Sequence, residues 1–284
     1  MKILLAEKID KKGIDLLEKF GDVFIAKDNS KEELVKSIKG MDAIIIRSSQ
    51  MYNEVIDAAD NLKVIGRHGV GFDNIDVEYA ASKGIKVVNT PTANSNSVAE
   101  HVIAMMLALS KKLLFCDCAM KNKLLCIGGK SLTGSAVNLG CGGFDLKDKT
   151  LSIAGFGRVG RLIAEKCVAA FNMNIKAYDP PVYKKIELPE KYEWVETIDE
   201  LVTDTDYISL NLPLLPSTKN IIGEKQFNLM KETTIFINCS RGGTVNEEDL
   251  YNALYHNKIF AAGVDVFSPE PPLANNKLFE LDNI

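Results

Sequence analysis

Near the middle of the chain, Gly155-Phe156-Gly157-Arg158-Val159-Gly160 carries glycines at G-x-G-x-x-G spacing, between an apolar run (150–154) and a helical one (161–170). Each glycine has a separate physical task. The first permits a tight turn, the second lets backbone approach a pyrophosphate, and the third allows a helix to pack closely on a strand. The helix N-terminus that follows, with its unpaired N–H groups, faces the phosphates. Asp179 ends the next apolar run, 19 positions after Gly160. A carboxylate there accepts hydrogen bonds from ribose hydroxyls and repels a 2'-phosphate, which favours NAD over NADP. A turn Asp before Pro180-Pro181 is the plainer reading of that residue alone. Strand, glycines, helix and acid in this order predict a dinucleotide site.

The elements that must hold this site follow from periodicity. Short apolar runs at 3–6, 23–26, 43–46, 64–66 and 86–88 predict five strands. Helical patterns lie between them, such as 11–20 with Ile14, Leu16 and Leu17, and 31–39 after the N-cap candidate Ser30. Residues 98–120 predict one long linking helix, and the Gly-, Leu- and Cys-rich stretch 123–143 predicts a loop. A second series of strands is expected at 151–154, 175–178, 207–212, 234–238 and 261–264. Continuous apolar strands alternating with helices imply α/β architecture with parallel sheets covered on both faces. Because the glycine fingerprint begins only at residue 155, the preceding half belongs to something other than the cofactor domain. The expected division is 1–97, a substrate-binding (lid) domain, and 98–284, a cofactor domain that includes the linking helix.

Composition narrows the function classes. The 284 residues are 46% hydrophobic and 25% charged, enough for two cores, and the net charge of -4 gives no basic field for nucleic acid or an anionic membrane. The N-terminal apolar run meets charge at Glu7, Lys8 and Asp10 and reads as a strand, and no uncharged stretch reaches bilayer length. A cytoplasmic protein is expected. Six cysteines without a secretory signal read as reduced thiols. Four of them, Cys116, Cys118, Cys126 and Cys141, crowd one region. Positions two apart on a helix point about 200° from each other, so Cys116 and Cys118 do not converge on one ion, and no metal is expected.

Further segments resemble the D-isomer specific 2-hydroxyacid dehydrogenase family along nearly the whole chain. They run from Arg67 through Gly69-Val70-Gly71 to Asp76, then Asn89-Thr90-Pro91, Val98-Ala99-Glu100, and Pro213 to Thr218. The last two are Asn238-Cys239-Ser240-Arg241-Gly242-Gly243 and the stretch from Asp265 through Glu270 to Pro272. The resemblance implies a flavodoxin-like substrate domain beside an NAD-binding Rossmann domain. It also implies NAD-dependent oxidation of a D-2-hydroxy acid, a small-molecule substrate and a homodimer. Catalysis is implied for Arg241, which holds the substrate carboxylate and polarises the C2 oxygen, and for Glu270, which pairs with a histidine. Cofactor contacts are implied at Val70, Gly155, Gly157, Arg158, Val159, Gly160, Asp179, Leu212, Pro213, Thr218, Cys239, Ser240, Arg241 and Asp265. Substrate contacts are implied at Arg47, Arg67, Gly69, Val70, Gly71 and Arg241. Two strand-end arginines favour a phosphorylated acid, 3-phospho-D-glycerate first, with glyoxylate or hydroxypyruvate reduction as the alternative. The family pattern reaches its catalytic Pro-His a few residues beyond Asn283-Ile284, so a shortened chain is expected. A non-catalytic NAD-binding protein or fragment is the rival reading. Structural roles are expected for His101 and His256, and for His68 unless it touches substrate. The 123–143 stretch lacks the Trp and basic residues usual there, so no role is carried into it.

Overall fold

β-Branched and aliphatic runs form the strands of the first sheet. These are β1 (Lys2–Leu5), β2 (Asp22–Ile25), β3 (Ala43–Ile46), β4 (Val64–Arg67) and β5 (Lys86–Asn89). Period-two alternation sends Ile3 and Leu5 to one face, under Ile14 and Leu17, and Leu4 and Ala6 to the other, against Leu34, Ile38 and Val55. Short helices α1 (Lys11–Leu17), α2 (Lys31–Ser37), α3 (Asn53–Asp57) and α4 (Val77–Ser82) connect the strands. Side chains cap three of them: Asp10 accepts from Lys12 N, Ser30 from Glu33 N and Asp76 from Tyr79 N. The sheet is all parallel in the order β2-β1-β3-β4-β5, a flavodoxin-like winding that reverses between β1 and β3. The computed structural model describes residues 1–126, 131–183, 185 and 187–284, in two compact units, Met1–Asn94 and Ser95–Ile284.

The second unit contains α5 (Ser95–Ser110), α6 (Leu113–Lys121), α7 (Leu132–Asn138), β6 (Thr150–Ala154), α8 (Arg158–Phe171), β7 (Asn174–Tyr178) and β8 (Tyr192–Trp194). After these come α9 (Ile198–Val202), β9 (Tyr207–Leu210), α10 (Glu224–Leu229), β10 (Ile235–Asn238), α11 (Glu247–Tyr255) and β11 (Ala261–Val264). Its parallel sheet runs β11-β10-β9-β6-β7-β8, the order of a Rossmann fold, with the reversal between β6 and β9. No helix among the described residues is long and apolar enough to cross a membrane.

Three expectations are corrected here. The single helix 98–120 is two helices, because Lys112 adopts a left-handed conformation (φ 50°) and the Ser110 carbonyl accepts from Phe144 N (3.0 Å) outside the helix. Ser110 Oγ also bonds back to the Met106 carbonyl at 2.6 Å, a local alternative to helix propagation. The expected loop 123–143 contains α7, capped by Ser131. That helix buries no residue, so it had no apolar period to read. Residues 127–130 of that stretch lie outside the described residues. The sixth strand, β8, was unforeseen. Three residues including a glutamate make no strand signal, and β8 is held by pairing to β7 and by Tyr192 and Trp194 packing edge-on against Phe156.

Candidate functional site

The β6–α8 turn lies where the sheet order reverses. Gly155 has φ +90° and donates its N–H to the Tyr178 carbonyl at 2.8 Å, and a Cβ there would stand 2.5 Å from the Asn211 carbonyl oxygen. Only glycine satisfies both constraints. Gly160 lets α8 rest on β6, since its Cβ would fall 2.3 Å from the Gly155 oxygen and 3.0 Å from Ile153 Cγ2. Gly157 differs, because an added Cβ meets nothing within 4 Å. Gly157 is the N-cap of α8 and no side chain caps that helix, so its first-turn N–H groups, at exposed Arg158 and half-buried Val159, open onto that space. Asp179, at the end of β7, accepts from Phe156 N at 2.8 Å through Oδ2, which locks the glycine turn to the neighbouring strand. Its Oδ1 has no protein partner among the described residues. Uncapped amides, empty space at Gly157 and an oriented carboxylate fit a dinucleotide.

At the end of β9, Asn211 N still bonds the Ala154 carbonyl at 2.7 Å, but the chain then turns out of the sheet. Leu212, expected as a cofactor contact, has its side chain buried in the core with Ile208 and Leu210, so any such contact would be made by its backbone. Pro213 is exposed. Thr218 shapes the loop that follows, donating to the Pro213 carbonyl at 2.6 Å and accepting from Leu215 N at 2.8 Å.

The β10 end is organised by Asn238. Its Oδ1 accepts from Ser240 N (3.0 Å) and Ser240 Oγ (2.8 Å), its Nδ2 donates to the Arg241 carbonyl (3.1 Å), and its carbonyl accepts from Asp265 N (3.0 Å). Thr244 Oγ1 also donates to the Arg241 carbonyl at 2.7 Å, so the backbone under Arg241 is fixed twice. Its guanidinium donates from Nη1 to the Ser240 carbonyl at 2.8 Å. Gly242 is required because a Cβ there would lie 2.0 Å from the Phe267 oxygen. Burial, with the Asp265 charge adding to it, pushes the half-buried Cys239 thiol up to about 12, so it is protonated at neutral pH. Glu270 is exposed in the turn that follows β11.

In the first unit, the residues expected to meet substrate gather at the carboxyl ends of β3 and β4. Arg47 is exposed and Arg67 half-buried, its Nη1 donating to the His68 carbonyl. Gly69 (φ +151°) allows this, since a Cβ would stand 2.2 Å from Arg67 Nη1. The carbonyls of Gly69 and Val70 are pinned by Thr90 N (3.0 Å) and Asn89 Nδ2 (2.7 Å). Backbone amides of the 69–71 loop are the expected carboxylate donors. Gly69 N donates to the Arg67 carbonyl at 2.9 Å, which leaves Val70 and Gly71.

Two residues take places the sequence reading did not give them. Glu7, just past β1, accepts from Ser48 N (3.0 Å) and Ser48 Oγ (2.9 Å) and from both donors of Ser49, fixing the chain after Arg47 at the reversal of the first sheet. Partial burial would raise its pKa, but these hydrogen bonds outweigh it and hold the carboxyl below its ordinary value. No local motif announces a residue whose partners lie about forty positions away. His101, expected in a structural role within the apolar helix, is exposed, with Nε2 3.6 Å from Asp265 Oδ1. It lies four positions before Met105, on the same helix face, which was the available signal. His68 and His256 are also exposed, and the ring of His256 meets Tyr255 edge-on.

The model of the NAD binding domain of D-isomer specific 2-hydroxyacid dehydrogenases matches residues 103–284. The chain is 41% identical over 285 residues to D-3-phosphoglycerate dehydrogenase of Methanocaldococcus jannaschii, covering 100% of this chain and 52% of the relative. It thus spans about half that relative's length. It is 37% identical over 290 residues to hydroxypyruvate reductase of Thermotoga maritima, covering 100% of this chain and 89% of the relative. Among solved structures, D-lactate dehydrogenase from Aquifex aeolicus, complexed with NAD and lactic acid, is similar with a TM-score of 0.80 and 26% identity over 99% of this chain and 85% of that one.

Proposed function

The chain belongs to the D-isomer specific 2-hydroxyacid dehydrogenase family, and on that premise we propose that it oxidises a D-2-hydroxy acid with NAD, most specifically 3-phospho-D-glycerate to 3-phosphohydroxypyruvate. The reaction would serve serine biosynthesis, and the same reading makes the protein a cytoplasmic homodimer. One observation carries the proposal. A single sheet presents, at the carboxyl ends of its strands, an uncapped helix N-terminus, a ribose-directed carboxylate and an arginine fixed on a braced backbone.

NAD, when bound, supplies the hydride acceptor. The residues of the chain bind and orient the reactants. The first-turn amides of α8 and the open space at Gly157 seat the pyrophosphate, and Asp179 Oδ1 takes the ribose hydroxyls. Arg241 offers a permanently charged, bidentate fork to the substrate carboxylate and stabilises negative charge on the C2 oxygen. In the first unit, taken by itself, the amides of Val70 and Gly71 would suit a carboxylate, and Arg47 and Arg67 would suit a phosphate. Glu270 is assigned to the family's histidine partner, the base that would take the C2 hydroxyl proton and whose basicity a neighbouring carboxylate would raise. Reduction of hydroxypyruvate or glyoxylate is the second reading, favoured by the relative of comparable length.

The test is turnover followed by NADH absorbance, alongside calorimetric titration with NAD. Arg241→Ala should abolish turnover and weaken NAD binding far less. Arg47→Ala with Arg67→Ala should raise KM for 3-phosphoglycerate and spare unphosphorylated acids, whereas equal effects on both would remove the phosphate assignment. Failure of NAD to bind the wild-type chain would overturn the proposal as a whole.

A further inference from the structure

Three different donor atoms converge at the β10 and β11 ends. The imidazole of His101, the thiol of Cys239 and the carboxylate of Asp265 place one ligand atom each within 4.8 Å of the others. The tertiary structure builds this convergence. Gly263 in β11 lets α5 come close, since a Cβ there would meet Ile237 Cδ1 at 2.9 Å and Met105 Sδ at 3.0 Å. Met105 also touches Cys239, sulfur to sulfur, at 3.7 Å. One helical turn towards the start of α5, on the same face, His101 is thereby carried to the strand ends, where Cys239 follows β10 and Asp265 follows β11.

We propose that His101, Cys239 and Asp265 form a zinc site whose occupancy excludes the nicotinamide end of the dinucleotide. The donor set is one nitrogen, one sulfur and one oxygen, all of which zinc accepts in tetrahedral geometry. Bonds of 2.0–2.3 Å put tetrahedral ligand atoms about 3.3–3.6 Å apart. The His101–Asp265 edge is already 3.6 Å, and the remaining edges, within 4.8 Å, close by side-chain rotation of about 1 Å. His101 and Asp265 are exposed and Cys239 half-buried, so the ion has a path in and the fourth position opens to water. On binding, zinc replaces the thiol proton, which leaves to solvent. Thiolate and carboxylate then balance the dication, and no redox step is involved. This site is distinct from the Cys116–Cys141 region, where the sequence expected no metal.

Zinc binding stands on the tripod alone, and the exclusion rests on the proposed cofactor reading. The two are therefore tested separately. Calorimetry with Zn2+ on the nucleotide-free chain, and Co2+ substitution read by its thiolate charge-transfer absorption, should report one site. His101→Leu and Cys239→Ser should each weaken it by more than the roughly 10–100-fold that loss of an outer-sphere partner costs. Asp265→Asn should weaken it too, and Cys116→Ser with Cys141→Ser should leave it unchanged. Circular dichroism and thermal melting check that each variant is folded. Saturating NAD, its binding verified by its own titration, should weaken apparent zinc affinity at least about tenfold. Absence of the charge-transfer band, its persistence in His101→Leu, or its loss in the Cys116/Cys141 variant would overturn the zinc site. Simultaneous full occupancy by zinc and NAD would overturn the exclusion, and a chain that binds zinc but not NAD would overturn the cofactor reading and leave the tripod standing.

Discussion

Replacing Gly157 by Ser should make the protein more stable and worse at holding NAD. Gly157 caps α8 with extended backbone (φ -73°, ψ -156°), a conformation serine adopts freely, and its Cβ would enter open space. The new hydroxyl accepts from the first-turn amides of Val159 or Gly160, satisfying donors that now have no side-chain cap. A better cap contributes about 0.3 kcal/mol, and removing a glycine from the unfolded chain about 0.4–1 kcal/mol, for a net gain of about 0.7–1.3 kcal/mol. In a unit of this size that is a rise in Tm of about 1–5 °C. The same hydroxyl and methylene occupy the place where a phosphate meets those amides. Loss of one charge-assisted hydrogen bond costs about 1.5–3 kcal/mol, which is a tenfold to hundredfold weaker Kd for NAD. Thermal melting and calorimetric titration on one preparation measure both. Gly160→Ala is the control of opposite sign. Its Cβ starts 2.3 Å from the Gly155 oxygen, so α8 must retreat by about 1 Å, at about 1–3 kcal/mol less about 1 for helix propensity. A Gly157→Ser protein that binds NAD within threefold of wild type, or that melts lower, would refute the assignment of this turn to phosphate.

Asp179→Asn keeps a hydrogen-bond acceptor for Phe156 N but removes the charge facing the ribose, so the preference for NAD over NADP should fall by about tenfold, read from parallel titrations with both nucleotides. The Asp206 carboxyl is held below its ordinary value of 3.8, since hydrogen bonds from Lys231 and Thr150 N, with the Lys231 charge, outweigh the burial that would raise it. A depressed folded pKa stabilises above the unfolded value, and the contribution is lost as pH falls through the folded one. Asp206→Asn should therefore lower the urea midpoint at pH 7, and the gap from wild type should shrink below about pH 4.

Period and local chemistry made most of both sheets legible from the sequence. Ile3-Leu4-Leu5, Ala43 to Ile46 and Ile235 to Asn238 are apolar enough to be strands in any context, and each lies in a strand of the structure. The glycine turn and Asp179 were readable because the hydrogen bonds that tie them, Gly155 N to the Tyr178 carbonyl and Phe156 N to Asp179, lie within one βαβ unit. What escaped depends on partners far away in the chain. β8 exists because β7 offers it an edge, and the helix break after Ser110 exists because Phe144 N captures a carbonyl.

The sequence by itself determined the parallel α/β class, the dinucleotide turn and the identity of Arg241 and Asp179 as chemical groups, because these follow from side-chain period and from backbone conformations that only glycine allows. Tertiary structure alone decided which atoms remain available. It consumed the Gly69 amide, buried Leu212, oriented one oxygen of Asp179, and brought His101 to Cys239 and Asp265 across more than 130 positions of chain. Hydrogen-bond capacity and proximity belong to packed partners, and a linear sequence fixes neither until the helices rest on the sheet.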